Sequence, residues 1–258
     1  MKQAIGVIGL GNMGYPIYKK IPLEFDKIAY DPYLNKEDVV QEKSLNDVIK
    51  KANIIILCVK PDKISGILQE IKVPKNIISI AAGITLNTMK EVSHTDSNIL
   101  RIMPNLPLLS EEGVIACIGN KSIFEIAKLI FKDMGMVVEL ANENESDIIT
   151  ALSGSGPAYV FTFIHALAEG GLKCGLSYSQ SLRIAIQTVK GSAIFLENEL
   201  DANSNLHPYH LRNKVTSPGG TTIYGLGKLE EGNFNFTVME SVNCAYLRAK
   251  ELGKSKKD

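Results

Sequence analysis

Residues 3–14 read Gln3-Ala4-Ile5-Gly6-Val7-Ile8-Gly9-Leu10-Gly11-Asn12-Met13-Gly14, and their reading decides the fold. The first part is a short apolar run ending in glycine, the pattern of a buried strand. The second part is G-x-G-x-x-G, placed directly after that strand and before a helical segment. The glycines permit a tight turn and the close approach of a pyrophosphate to the helix start. Pro16 falls in the first turn of the helix, where its missing N–H costs little, and Pro22 ends it. Gly9, Leu10, Gly11, Asn12, Met13 and Gly14 are therefore candidate dinucleotide-binding residues. Lys27 to Tyr30 reads as the next strand, with Asp31 at its end, near the place of an acid that holds the ribose hydroxyls of NAD. Its charge would repel a 2′-phosphate, so the cofactor is expected to be NAD(P)H with a lean to NADH. Neighbouring Lys36 keeps NADPH open. The plainer reading of Asp31 is a turn residue ahead of Pro32.

Strands and helices then alternate. Runs at 53–59, 77–81, 98–102, 114–118 and 137–140 read as strands, and 123–134 as a helix. Ile64, Ile67, Leu68 and Ile71 have helical spacing. This alternation predicts an α/β fold with a Rossmann-type parallel sheet and helices on both faces. Ligands of such sheets lie at the carboxyl ends of the strands. Those ends carry Asp31, then Cys58, Val59, Lys60 and Pro61, then Ala81, Ala82 and Gly83, then Met103-Pro104-Asn105. Lys60 reads as cofactor-adjacent or simply as a surface charge.

From Glu143 the pattern is helical only. The chain is thus expected to divide into a dinucleotide-binding domain at 1–143 and an all-helical C-terminal domain at 144–258. Many apolar helix faces in that second part predict a dimer that shares it. Ser177-Tyr178-Ser179-Gln180 resembles a capping box. His165 lies in an apolar helical run, as a partnered packing residue. Thr162 reads as a buried threonine bonding its own helix backbone, with contact to a ligand nitrogen as the alternative. His207 and His210 have no third ligand near in sequence, so no metal is expected.

The stretch Ser217-Pro218-Gly219-Gly220-Thr221-Thr222-Ile223 places two glycines behind a proline and starts a helix. Backbone N–H groups and a helix start converging on one spot suit a small anion. A capped Pro-Gly loop is the bland reading. Together with a dinucleotide site, an anion pocket points to a reductase.

The 258 residues are 45 % hydrophobic, enough for a packed core. Lys+Arg and Asp+Glu both number 28, so no positive field exists to draw a nucleic acid. Cys58, Cys117, Cys174 and Cys244 are far apart in apolar surroundings, as reduced core residues of a cytoplasmic protein are. No signal peptide or membrane span is apparent. Lys254 to Lys257 reads as a solvated charged tail.

Three stretches together carry a resemblance: R-I-M-P-N at 101–105, S-G-S-G-P-A-Y at 153–159 and S-P-G-G-T-T-I at 217–223. With the fingerprint, C-V-K-P at 58–61 and A-A-G-I at 81–84, essentially the whole chain resembles pyrroline-5-carboxylate reductase. The resemblance implies a Rossmann domain, a helical dimerisation domain and reduction of 1-pyrroline-5-carboxylate to L-proline by NAD(P)H. It implies that Gly9 to Gly14, Cys58 to Pro61, Ala81 to Gly83 and Asn105 line the cofactor. It implies that Ser217, Gly219, Gly220, Thr221 and Thr222 hold the carboxylate of a small cyclic imine, and that Thr162 lies near the imine nitrogen. Thr162 and Thr222 are the catalytic candidates. A homodimer, or a ring of dimers, with the site completed across the dimer is likewise implied.

The family commonly has threonine after M-P-N, where this chain has Leu106, and an acid where His165 stands. Two other readings remain. A β-hydroxyacid dehydrogenase of the 3-hydroxyisobutyrate type shares the start G-L-G-N-M-G-Y-P, but needs a lysine on the long helix as acid and base. No lysine occurs between Ser153 and Lys173. A catalytically weak nucleotide-binding family member is the other reading.

Overall fold

The structure is a computed structural model and describes residues 2–254; residues 255–258 of the charged tail lie outside the described residues. The elements follow in chain order as β1 (Ala4–Ile8), α1 (Gly14–Lys20), β2 (Asp26–Tyr30), α2 (Leu45–Lys51), β3 (Ile54–Leu57) and α3 (Pro61–Glu70). Then come β4 (Asn76–Ser79), α4 (Leu86–Val92), β5 (Asn98–Pro104), a 3-10 turn (Leu106–Ser110), β6 (Gly113–Gly119), α5 (Lys121–Phe131) and β7 (Gly135–Glu139). The remainder is helical: α6 (Glu143–Ile149), a π-turn (Thr150–Gly154), α7 (Gly156–Lys173), α8 (Tyr178–Ala202), α9 (Pro208–Lys214), α10 (Thr221–Glu231) and α11 (Phe234–Lys254).

The strands form one seven-stranded sheet in the order β2-β1-β3-β4-β5-β6-β7. β1 lies between β2 and β3, so the crossovers leave it in opposite directions. The crevice beyond its carboxyl end is where open α/β sheets take ligands. β3 is Ile54-Ile55-Ile56-Leu57, buried throughout, as a central strand covered on both faces must be. One core cluster joins Ile17 and Tyr18 of α1 to Ile123, Ala127, Ile130 and Phe131 of α5 on one face. The other joins Val48 of α2, Ile64 and Leu68 of α3 and Met89 of α4 on the opposite face.

The sheet is parallel, as expected of a Rossmann-type domain, at every pair but one: β5 and β6 are antiparallel. Only the 3-10 turn and its flanks connect them, too little chain for a crossover, so the strand returns beside its predecessor. At the edge where β4 and β5 begin, three asparagines form a ladder. Asn98 Nδ2 donates to Asn76 Oδ1 at 3.1 Å, and Asn120 Nδ2 donates to Asn98 Oδ1 at 2.9 Å. Asn120 Oδ1 in turn accepts the N–H groups of Ser122 and Ile123 and caps α5.

Backbone packing groups 2–155 and 245–254 in one compact unit and Gly156–Cys244 in another. In the second, α7 and α8 approach closely at Gly171, where a β-carbon would sit 2.6 Å from Ser181 Oγ. Ser177 caps α8 by accepting Gln180 N–H at 3.3 Å. Large apolar side chains remain exposed along these helices, among them Phe161 at 57 % and Met239 at 62 %. No described helix is long and apolar enough to cross a membrane.

Three side-chain expectations are corrected. Cys117 is buried and Cys58 half-buried, but Cys174, in the turn just past α7, and Cys244, on α11, are exposed. Thr162 is exposed, though its hydroxyl does donate to Ala158 O at 2.9 Å. His165 is also exposed, with Nδ1 3.0 Å from Tyr178 Oη and Nε2 3.4 Å from Glu169.

Candidate active site

The glycine-rich turn joins β1 to α1 at the carboxyl edge of the sheet. Gly9 has φ +94°, and a β-carbon there would meet Cys58 O at 2.7 Å. A β-carbon on Gly14 would sit 1.9 Å from Gly9 O. These two glycines let three chain segments pack together. Gly11 differs, because nothing lies within 4 Å of its ideal β-carbon position. It is exposed, and the start of α1 carries no side-chain cap. A bare turn beside uncapped N–H groups fits a dinucleotide pyrophosphate.

Asp31 faces this turn. Its Oδ2 accepts Leu10 N–H at 2.7 Å, and its Oδ1 accepts Tyr33 N–H at 2.9 Å and Leu34 N–H at 3.0 Å. The acid thus ties the fingerprint to the loop after β2, and the turn-forming role ahead of Pro32 is part of that. Lys36 stands with its ammonium 5.0 Å from the centroid of the Tyr15 ring. Tyr15 Oη donates to Asp38 at 2.7 Å, and Lys19 pairs with the same carboxylate at 2.9 Å.

Along the same edge, Cys58 N–H donates to Ile8 O at 2.8 Å, and burial pushes its thiol up to about 12. Val59 is half-buried and touches the Gly9 turn, Lys60 is exposed, and Pro61 opens α3. Ala81 is buried and its N–H donates to Ser79 Oγ, Ala82 is exposed, and Gly83 turns the chain at φ +70°. Asn105 is 8 % exposed, and its amide is engaged within the protein. Oδ1 accepts Val114 N–H at 2.8 Å, and Nδ2 donates to Ser153 Oγ at 3.1 Å and to Ser153 O at 3.2 Å. Asn105 thus straps β5 and β6 to the π-turn.

One constellation escaped the sequence reading. Arg101 on β5 is 4 % exposed and pairs through Nη1 with Glu143 Oε2, while Glu143 Oε1 accepts Leu86 N–H at 2.7 Å. Asp147 and Lys250 line the same small cavity of about 180 Å³. Burial holds the Asp147 carboxyl above its ordinary value, with Arg101 and Lys250 opposing and Glu143 adding to the shift. The sequence signal was an arginine among the apolar residues Ile99, Leu100, Ile102 and Met103 of β5. No group of three or more His, Cys, Asp or Glu suited to a metal occurs among the described residues.

In the helical unit, Ser217 to Gly220 make the turn into α10. Gly219 has φ +67°, a conformation that side chains other than glycine adopt with strain. Gly220 N–H donates to Ser217 O at 3.0 Å, and a β-carbon on Gly220 would meet Ser217 Oγ at 2.3 Å. Gly220 is the N-cap of α10 and supplies no side-chain cap. Thr221 is exposed and Thr222 half-buried in the first turn. His207 caps α9 by accepting Tyr209 N–H at 3.2 Å.

The family profile described as pyrroline-5-carboxylate reductase dimerisation matches residues 143–252. That described as NADP oxidoreductase coenzyme F420-dependent matches residues 32–83. Pyrroline-5-carboxylate reductase of Aquifex aeolicus is 38 % identical over 98 % of this chain and 98 % of its own. This chain belongs to the pyrroline-5-carboxylate reductase family. The solved reductase of Coxiella burnetii is 30 % identical with a TM-score of 0.87, covering 98 % of this chain and 100 % of that one. The Plasmodium falciparum pyrroline carboxylate reductase, solved with NADP bound, is 32 % identical with a TM-score of 0.84 over the same shares. Membership makes the protein an NAD(P)H-dependent oxidoreductase acting on a carbon–nitrogen double bond. It supports self-association through the helical part, and the β-hydroxyacid dehydrogenase alternative is not favoured.

Proposed function

We propose that the protein reduces 1-pyrroline-5-carboxylate to L-proline, holding the nucleotide with residues of the 1–143 domain and the substrate carboxylate with the start of α10 in the 144–258 domain. The observation that carries the carboxylate assignment is the bare N-terminus of α10 behind the Gly219 turn. A carboxylate at such a helix start gains about 0.3–1 kcal/mol when exposed and up to ~2 when partly buried. Main-chain N–H bonds to the charge add to this. In this reading Ser217, Gly219, Gly220, Thr221 and Thr222 bind the carboxylate, and Thr222 orients the ring.

Nicotinamide, when bound, supplies the hydride to the imine carbon. The work left to the chain is to orient the ring and favour its protonated, more electrophilic form. Thr162 suits that task in one particular way. Its hydroxyl proton is directed to Ala158 O, which leaves oxygen lone pairs to accept an iminium N–H. Thr162 therefore acts as an acceptor that stabilises the iminium, not as the proton donor.

Gly9 to Gly14, Asp31, Cys58 to Pro61, Ala81 to Gly83 and Asn105 form the nucleotide site in this proposal, with Asn105 acting through its strap to Ser153. In this reading NADH is preferred, because the Asp31 charge at the end of β2 would repel a 2′-phosphate. The protein works in the cytoplasm as a homodimer or a ring of dimers. The test is nucleotide oxidation on addition of 1-pyrroline-5-carboxylate, with proline measured as product. Proline formed in proportion to nucleotide consumed supports the proposal. Nucleotide binding without turnover of the imine contradicts it.

A further inference from the structure

We propose that Glu143 is a positioning residue that, with Arg101, sets the turn from Ile80 to Thr85, whose Ala81 to Gly83 line the bound nucleotide. The proposal rests on the nucleotide reading above. The turn from Ile80 to Thr85 is held at both ends by Arg101. At one end the Arg101 backbone pairs in the sheet with Ser79, the last residue of β4. At the other end its guanidinium holds Glu143, whose second oxygen accepts the N–H of Leu86, the first residue of α4. Gly83, at φ +70°, bends the chain between these anchors.

Each partner has a reason to stay put. Arg101 is buried in the sheet, and its Nε has no hydrogen-bond partner, so its charge depends on Glu143. Glu143 sits in the first turn of α6 and faces the first turn of α4, where both helix dipoles favour a negative charge. The opposite end of α6 leads into the π-turn that Asn105 straps to β5. Losing the Leu86 acceptor frees the exit of the turn while leaving its entry fixed, so the nucleotide loses a fixed wall of its site without the sheet losing its order.

The test compares two double variants that both remove the buried ion pair. Arg101→Leu with Glu143→Gln keeps an acceptor for Leu86 N–H, and Arg101→Leu with Glu143→Leu does not. Nucleotide dissociation constants are read by titration, beside Tm and the KM for the imine. With Tm and imine KM matched between the two, nucleotide binding is expected to be about threefold to tenfold weaker in the variant without the acceptor, the range of one net hydrogen bond. Should the leucine pair not fold, Glu143→Gln against Glu143→Met in the otherwise unchanged chain makes the same comparison. Equal nucleotide affinities within the pair overturn the proposal. Failure of the unaltered protein to bind NADH or NADPH overturns the nucleotide reading itself, and the proposal with it.

Discussion

The carbonyl oxygen of Gly9 lies against the bare Cα of Gly14, where a β-carbon would sit 1.9 Å from it. Gly11, between them in sequence, has open space instead. The two positions should therefore fail differently. Gly14→Ala must move backbone and should lower Tm sharply. Gly11→Ala should leave Tm nearly unchanged and raise the KM for NADH about tenfold or more, because its methyl group occupies the approach to the turn. Thermal melts and nucleotide titrations of both variants check this; equal behaviour would contradict it.

Asp31 accepts main-chain N–H groups on both oxygens. Asn at this position can present only one oxygen, so one N–H would face an amide donor. Asp31→Asn should cost about 1–3 kcal/mol of stability. If Asp31 sets the proposed preference for NADH, the change should also lower the ratio of turnover with NADH to turnover with NADPH. Denaturant titration gives the first and initial rates with each nucleotide give the second.

The Asp147 carboxyl titrates above its ordinary value of 3.8, chiefly through burial. Between that value and the raised one, the folded protein binds more protons than the unfolded chain, so stability falls as pH rises through the window. The contribution is fully present below 3.8 and is lost as pH rises through the raised value. Asp147→Asn should accordingly raise Tm at pH 7 and flatten the decline across that window. A series of melts from pH 4 upward reads the slope; an unchanged slope would mean that another group sets it.

Asn98 joins Asn76 to Asn120 at the edge of the sheet away from the fingerprint. Asn98→Ala should cost about 1–2 kcal/mol, because both neighbours lose a partner. Its KM values for nucleotide and imine should match those of the unaltered protein, since this edge is remote from Gly11. Denaturant unfolding beside steady-state kinetics separates the two effects.

Much of the fold was legible in local pattern. The apolar run before Gly9, the all-apolar β3 and the capping serine at 177 are rules of neighbouring residues, and each forms its expected element. The antiparallel turn of β6 was not, because strand direction depends on the connection and an apolar strand reads alike both ways. The Arg101–Glu143 pair was hidden for a related reason: an ion pair between residues distant in sequence leaves no periodic trace. Exposure of Thr162 and His165 was misjudged because an apolar helix face reads as core whether its cover comes from the same chain or from another copy.

The proposed anion grip at the start of α10 is tested most directly by varying the imine at saturating NADH in Thr222→Ala and Gly219→Val. Valine at φ +67° must distort the turn that aims the N–H groups. Both variants are predicted to raise the KM for 1-pyrroline-5-carboxylate about tenfold or more while the dissociation constant for NADH stays as it was. Unaltered imine saturation in both would show that the carboxylate is held elsewhere.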